Sequence, residues 1–336
     1  MVVLHSCARP ADRIDPGRFE RDHGGMITTP YLIFLGAAPD ALAAKTGQGI
    51  VDWRPDCAVG QRRLPDCAAD LGIADMDIDA AVAAGAKTLV IGTVSPGGVM
   101  PEAWSGEFVR AMEAGLDIAS GLHTPLSSIP VIHEAAQRTG RQLFDVRLPQ
   151  QHFAVGSGRR RSGKRLLTVG TDCSVGKKYT ALALEAAMRA AGMDADFRAT
   201  GQTGILIAGG GVAIDAVVAD FISGAAEWLS PDADTQHWDV VEGQGSLFHP
   251  SFAGVSTGLL HGTQPDVFVV CHEPTRTTMR NVAAPLPSVE QVIELTTQVG
   301  AMVNPDIRCA GVAINTAQLE TSAAAELLDE FHKSLN

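Results

Sequence analysis

The residues best suited to chemistry lie in one run, Gly170-Thr171-Asp172-Cys173-Ser174-Val175-Gly176-Lys177-Lys178. Two glycines bracket a short turn, and a lysine follows the second. The apolar β-type segment Leu166–Val169 leads into the turn, and a helical pattern from Thr180 to Arg189 leads out of it. In a strand, loop and helix taken in that order, backbone amides and the positive end of the helix dipole converge on one cavity. Lys177 adds a mobile charge. The chemistry is the binding of phosphate or pyrophosphate. This loop departs from the usual one in two respects: five residues separate its glycines, and Lys178 stands where a Ser or Thr hydroxyl would hold Mg²⁺.

A second group belongs beside it. Glu242 closes the apolar run Asp239-Val240-Val241, at the sheet edge where such a loop opens. A carboxylate there positions a metal or a water, or takes a proton from an amine. His249 follows closely and is the other candidate base. Asp172 would repel a phosphate, so it is expected to orient Lys177 or to meet a substrate ammonium. Cys173 has no histidine near it in sequence and reads as a small loop residue rather than a nucleophile. His272, Arg276 and Arg280 follow a further strand and suit a clamp on carboxylate or phosphate.

The rest of the chain must position these groups. Tyr31–Gly36 reads as a buried strand, Ala41–Thr46 as a brief helix and Gly60–Pro65 as loop. Then a cycle of helix, glycine and strand repeats. It runs through Ile78–Ala84, Gly85 and Thr88–Gly92, then Glu102–Ala114, Gly115 and Leu116–Ser120, then Pro130–Thr139, Gly140 and Gln142–Val146. That alternation marks a parallel α/β sheet. There is no G-x-G-x-x-G, so a dinucleotide site is not indicated. Ligands gather beyond the carboxyl ends of such strands, which makes Ser95, Gly97 and Gly98 candidates for substrate binding. His123, at the next strand end, is a further substrate-binding candidate, and a structural role is expected of it ahead of a catalytic one. The predicted fold is α/β, with two parallel-sheet three-layer domains, Rossmann-like then P-loop NTPase-like. The boundaries are a disordered extension over 1–26, domains over 27–147 and 164–336, and a linker over 148–163 whose Arg159-Arg160-Arg161 run reads as a solvated hinge. Met26 before the first strand raises the expectation that the extension is a mis-assigned start. In the second domain, Gly201-Gln202-Thr203-Gly204 reads as a polar turn and Ala213–Leu229 as helix.

Composition narrows the partners. With 336 residues and a net charge of −12, a nucleic-acid partner held by a broad basic surface is not expected. The six cysteines are scattered without metal-ligand spacing, as expected of free thiols in a reducing cytoplasm. No apolar run approaches the ~18–20 residues of a membrane span. No metal ligands are assigned, Mg²⁺ is not expected, and Ala-rich helices on parallel sheets suit a homo-oligomer.

The run Gly170 to Lys177 resembles the altered Walker A of dethiobiotin synthetase-like NTPases. Val241-Glu242-Gly243-Gln244-Gly245 is similar to their acidic motif, and Gly311-Val312-Ala313-Ile314-Asn315 to the strand end that recognises the base, which implies a cofactor contact at Asn315. The whole chain from about residue 27 more closely resembles a two-domain family that includes D-glutamate N-acetyltransferases. It does so at Val94-Ser95-Pro96-Gly97-Gly98, Ser120-Gly121-Leu122-His123, the loop itself and Glu242-Gly243-Gln244-Gly245-Ser246-Leu247. That resemblance implies transfer of an acetyl group from acetyl-CoA to the amine of D-glutamate, in D-amino-acid catabolism alongside a partner dehydrogenase. The expectation that follows places the CoA phosphates on the loop amides, Lys177 and Lys178, the proton on Glu242 or His249, and the amino acid near the first domain's loops. The alternatives are an ATP- or GTP-dependent ligase or kinase of the dethiobiotin synthetase type, and a nucleotide sensor without catalysis.

Overall fold

A computed structural model describes residues 2–5, 27–93, 100–149 and 151–334. Its strands in chain order are β1 (Val2–His5), β2 (Tyr31–Gly36), β3 (Ala58–Arg63), β4 (Thr88–Ile91), β5 (Asp117–Ser120), β6 (Leu143–Asp145), β7 (Lys164–Gly170), β8 (Ala195–Arg198), β9 (Trp238–Val241), β10 (Val267–His272) and β11 (Arg308–Ile314). They form two compact units, one of residues 13–150 and 202–213, the other of 1–12, 151–201 and 214–336.

In the first unit the sheet is parallel, in the order β3-β2-β4-β5-β6. Every residue of β2 and β4 is buried, which is why both read as unbroken apolar runs rather than as alternating patterns. The helices Ile78–Ala83, Trp104–Glu113 and Pro130–Thr139 return the chain between strands. The first is capped by Asp77, whose carboxylate accepts the Ala80 amide, and the last ends at Gly140 in the left-handed conformation. Phe34 meets Trp104 and Phe108 edge-on, each at 5.2 Å between ring centres, at the heart of this core. Strand order reverses between β2 and β4, the place where open α/β sheets form a ligand crevice. The segment 94–99, with Ser95, Gly97 and Gly98, follows β4 and lies outside the described residues.

The helix Gln202–Ala208 belongs to this unit although it comes from the later half of the chain. Thr203 meets Thr46 at 3.2 Å between hydroxyls, and Arg54 donates to the Ile207 carbonyl at 2.7 Å. This differs from the sequence reading, which made Gln202-Thr203-Gly204 a turn of the second domain. Packing on the helix Lys45–Trp53 decides it. Gly60–Arg63, read as loop, is part of β3, and Gly60 is needed there because a Cβ would lie 2.6 Å from the Ala74 carbonyl.

The second unit's sheet is also parallel, in the order β1-β11-β10-β7-β9-β8. The expected extension over 1–26 is corrected at Val2–His5, which pair with Gly311–Ile314 at the sheet edge; residues 6–26 lie outside the described residues. The expected helix over Ala213–Leu229 is two short 3₁₀ turns followed by the helix Ile222–Leu229, and the helix Ala253–Thr263 was not anticipated. The arginine run is not wholly solvated. Arg159 and Arg160 pair with Asp232 and Asp266, while Arg161 is buried and donates to the carbonyls of Glu227, Ser230, Gly262 and Thr263. Arg165, at the start of β7, is buried likewise against Ser230 and several carbonyls.

Candidate active site

The central strand β7 delivers the loop. At Gly170 a Cβ would lie 2.8 Å from Val175 and 3.2 Å from the Cys271 carbonyl, so the turn closes only on glycine. Gly176, at φ +109, opens the helix Lys177–Ala190, whose first-turn amides face the loop. Lys177 is buried, and its Nζ donates to the Asp172 carbonyl at 2.7 Å. Burial lowers its pKa, against the opposing pull of Cys271, Cys173, Asp172 and Glu242.

Two arginines from the segment after β10 hold the loop in shape. Arg276 donates to Asp172 Oδ2 at 3.1 Å and to the carbonyls of Cys173 and Ser174 at 2.8 and 3.0 Å, with its Nε on Glu273 at 2.8 Å. Arg280 gives its amide to Asp172 Oδ2 at 2.7 Å and its guanidinium to Ser174 Oγ at 2.7 Å. Asp172 is therefore an internal strut. It receives Arg276 and the Arg280 amide through its carboxylate, and it meets Lys177 through its carbonyl rather than its side chain. Arg276, expected to bind substrate, is committed to the loop, and Arg280 keeps the exposed position beside it.

Glu242 sits at the end of β9 with 4% of its surface exposed. Its Oε2 accepts the amides of Thr200 and Gly201 at 3.0 and 3.1 Å, which leaves Oε1 without a donor among the described residues. Burial raises its pKa to about 7, while Lys178, the two amides and Lys177 pull the other way. A carboxylate so held has a fixed orientation and one oxygen ready to take a proton near neutral pH. Around it, Thr200 Oγ1 donates to the Glu242 carbonyl at 2.6 Å and Gln244 Nε2 reaches Thr200 Oγ1 at 3.2 Å. Gly243 gives its amide to Thr168 Oγ1 at 2.9 Å. Sequence reasoning missed Thr200, Gly201 and Gln244 as this carboxylate's supports. The available signal was a small polar turn directly after a strand.

His249 is placed differently from the expected base. Its Nε2 lies 3.1 Å from the Arg280 carbonyl and its Nδ1 accepts the Ser251 amide at 3.2 Å, so both ring nitrogens are engaged with backbone. Its ring also stacks on Phe252 at 4.6 Å. Asp172, Cys173 and His249 bring potential metal-ligand atoms within 4.8 Å of one another, yet this imidazole has no free lone pair to offer in that tautomer. Burial raises the Cys173 thiol's pKa, with Lys177 and the arginines only partly opposing it. Asn315 follows β11, where its amide donates to the His272 carbonyl at 2.8 Å and its side chain accepts Ala317's amide at 3.2 Å. His123 is exposed in the other unit, just beyond β5, where the Ser120 hydroxyl accepts the Leu122 amide at 3.1 Å.

Residues 152–336 match the profile of a family described as a domain of unknown function, DUF1611, P-loop domain, and residues 62–149 match its Rossmann-like N-terminal companion. A protein of Tritonibacter scottomollicae named D-glutamate N-acetyltransferase is 52% identical over 306 residues, 91% of this chain and 92% of the relative. One of the same name from a Pseudoalteromonas species is 48% identical over 310 residues, 92% of this chain and 93% of the relative. The crystal structure of a DUF1611 family protein from Anabaena variabilis is 32% identical, with a TM-score of 0.73 and coverage of 89% of this chain and 90% of its own.

Proposed function

This chain belongs to the DUF1611 family, and we propose that it is an acyltransferase moving an acetyl group onto the amine of D-glutamate. Two relatives at 48% and 52% identity carry that activity in their names. The observation in the site that carries the reading is Glu242, a buried carboxylate whose pKa is raised to about 7, with one oxygen held and one unbonded. It stands beside a phosphate loop of Gly170, Thr171, Asp172, Cys173, Ser174, Val175 and Gly176.

The acyl donor in this reading is acetyl-CoA, whose pyrophosphate is taken by the loop amides, Lys177 and Lys178. Glu242 accepts a proton from the substrate ammonium, and the free amine attacks the thioester carbonyl. A C–N bond forms and the C–S bond breaks. The thiolate leaves with the electron pair of that bond and takes up a proton as free CoA. His249, whose ring is engaged with backbone, shapes the loop and does not carry the proton. Direct attack is preferred over an acyl-Cys173 intermediate, because burial raises that thiol's pKa and the imidazole near it, His249, has both ring nitrogens engaged with backbone. The product amide then passes to a dehydrogenase in D-amino-acid catabolism. The free cysteines suit a cytoplasmic setting, no helix among the described residues is long and apolar enough to cross a membrane, and the working form is taken to be a homo-oligomer.

The experiment follows free thiol with acetyl-CoA and D-glutamate, and phosphate with Mg-ATP in parallel. Thiol release that requires the amino acid supports the reading. Phosphate release without thiol release overturns it in favour of the ligase or kinase alternative.

A further inference from the structure

A second charged cluster, away from the phosphate loop, is built around His237, which is fully buried just before β9. Its Nδ1 lies 3.0 Å from Asp194 Oδ2 and its Nε2 3.1 Å from Asp239 Oδ1, with Asp196 Oδ2 at 3.8 Å from Nε2. Asp196 and Asp239 are register partners on the parallel pair β8 and β9, so two carboxylates stand side by side across the ladder. Such a pair is repulsive unless cations lie beside it. Arg198 supplies one, with its Nε 2.6 Å from Asp239 Oδ1 and its Nη2 3.9 Å from Asp196 Oδ2. Ser230 donates to Asp239 Oδ2, and Arg165 of β7 reaches that carboxylate through the same hydroxyl. Lys164 of β7 is directed instead at Gln236 and the Trp238 ring. Burial would raise the Asp239 carboxyl's pKa, yet His237, Arg198 and Ser230 hold it below the usual carboxylate range.

We infer that His237 is a resident imidazolium, a pH-sensitive clasp that holds the edge strand β8 against β9. A neutral ring has one N–H and one lone pair. One of its nitrogens would then turn a lone pair toward a carboxylate oxygen 3.0 or 3.1 Å away. Protons on both nitrogens remove that repulsion, and they reside on the ring because imidazole is the stronger base, at ~6.5 against ~3.9 for Asp. Complete burial favours the neutral ring. A neutral ring, however, would leave Asp194, Asp196 and Asp239 facing Arg198 alone, and attraction at contact distance in a buried setting is the stronger effect. The folded chain therefore binds this proton more tightly than the unfolded one. The clasp's contribution to stability is complete below about pH 6.5 and is lost as pH rises through the folded value. β8 leads into Thr200 and Gly201, whose amides hold Glu242 beyond the end of β9. The clasp and that carboxylate thus sit at opposite ends of one strand pair.

The test is a ¹⁵N NMR titration of the His237 ring in the whole chain, assigned by through-bond correlation to its own backbone. Both ring nitrogens are expected to carry protons at pH 7, with deprotonation at least about one pH unit above the ordinary ~6.5. Asp194→Asn removes the half-exposed carboxylate and leaves the buried ones in place. It should bring that deprotonation down by about half a unit. Thermal unfolding supplies the second measurement. The margin by which wild type melts above His237→Gln should be widest near pH 6 and should narrow as pH rises through the value found by NMR. A ring with a single proton at pH 7, an unmoved deprotonation in Asp194→Asn, or a margin that stays constant up to pH ~9.5 where His237→Gln folds, overturns the inference. None of these measurements involves substrate, so their outcome is separate from that of the acetyl-transfer reading.

Discussion

Replacing Glu242 by glutamine separates stability from activity at one position. In the folded chain this carboxyl titrates at about 7 against an ordinary 4.5, chiefly because it is buried. A raised carboxyl pKa means that the folded state binds the proton more tightly than the unfolded chain does. The contribution to stability is therefore greatest when the group is protonated, and it is lost as pH rises through 7. Between about pH 5.5 and about pH 8.5 the loss amounts to roughly 2 kcal/mol. Glutamine keeps an oxygen for the Thr200 and Gly201 amides and carries no charge, so it escapes this loss. For a unit of this size the gap in melting temperature between Glu242→Gln and wild type should change by roughly 4–8 °C in the variant's favour across that interval. Other titrating groups are common to both proteins and cancel. Turnover should fall by roughly 10²–10⁴-fold, the usual cost of losing a general base. The assay is thermal unfolding of both proteins at the two pH values, with thiol release measured in parallel. A melting gap that is the same at both pH values would refute the argument that Glu242 is a buried carboxyl poised near neutrality.

Three further outcomes are expected. Gly243→Ala would push a Cβ deep into the Thr168 carbonyl oxygen and to within 3.1 Å of the Lys177 stem; it should cost at least about 3 kcal/mol, above ordinary overpacking, seen as a lower melting temperature or lost soluble protein. Arg161→Ala would leave three buried carbonyls and one half-buried one without their shared donor. A loss of about 3 kcal/mol or more is expected by denaturant titration, and Arg161→Lys should not recover it, since an ammonium cannot fork across both pairs. Cys173→Ala should keep turnover within about threefold of wild type by thiol release, in line with the absence of an activated thiolate; a folded variant without turnover would instead make Cys173 an acyl carrier.

The loop from Gly170 to Lys177 was legible because everything that forms it is local: an apolar strand, two glycines and a helix start lie within a few residues of one another. The same holds for β2, β4 and β10, whose two-sided burial writes itself as nearly unbroken apolar runs. What escaped depended on partners far along the chain. β3 is an edge strand, and its Gln61 and Arg62 are satisfied by Asp70 and Glu107, so no hydrophobic period announces it. Arg161 reads as solvated until Gly262 and Thr263 supply its acceptors. His249 looks like a base until the Arg280 carbonyl, distant in sequence, engages its ring. The supports of Glu242 follow the same rule, since Thr200 and Gly201 arrive from another strand end.

The helix Gln202–Ala208 also dictates the order in which the protein can be made. Its Ile205, Leu206 and Ile207 are buried in the unit whose other residues, apart from 209–213, are synthesised before residue 151. Until residue 213 has left the ribosome, Arg54 lacks the Ile207 acceptor, the Ile27 amide lacks Gly209, and the helix Lys45–Trp53 lacks its cover. The first half of the nascent chain must therefore wait, incomplete and partly apolar at its surface, while the phosphate loop is translated. A fragment ending near residue 150 is for the same reason a poor substitute for the isolated first unit, and should be recovered with chaperones or as aggregate.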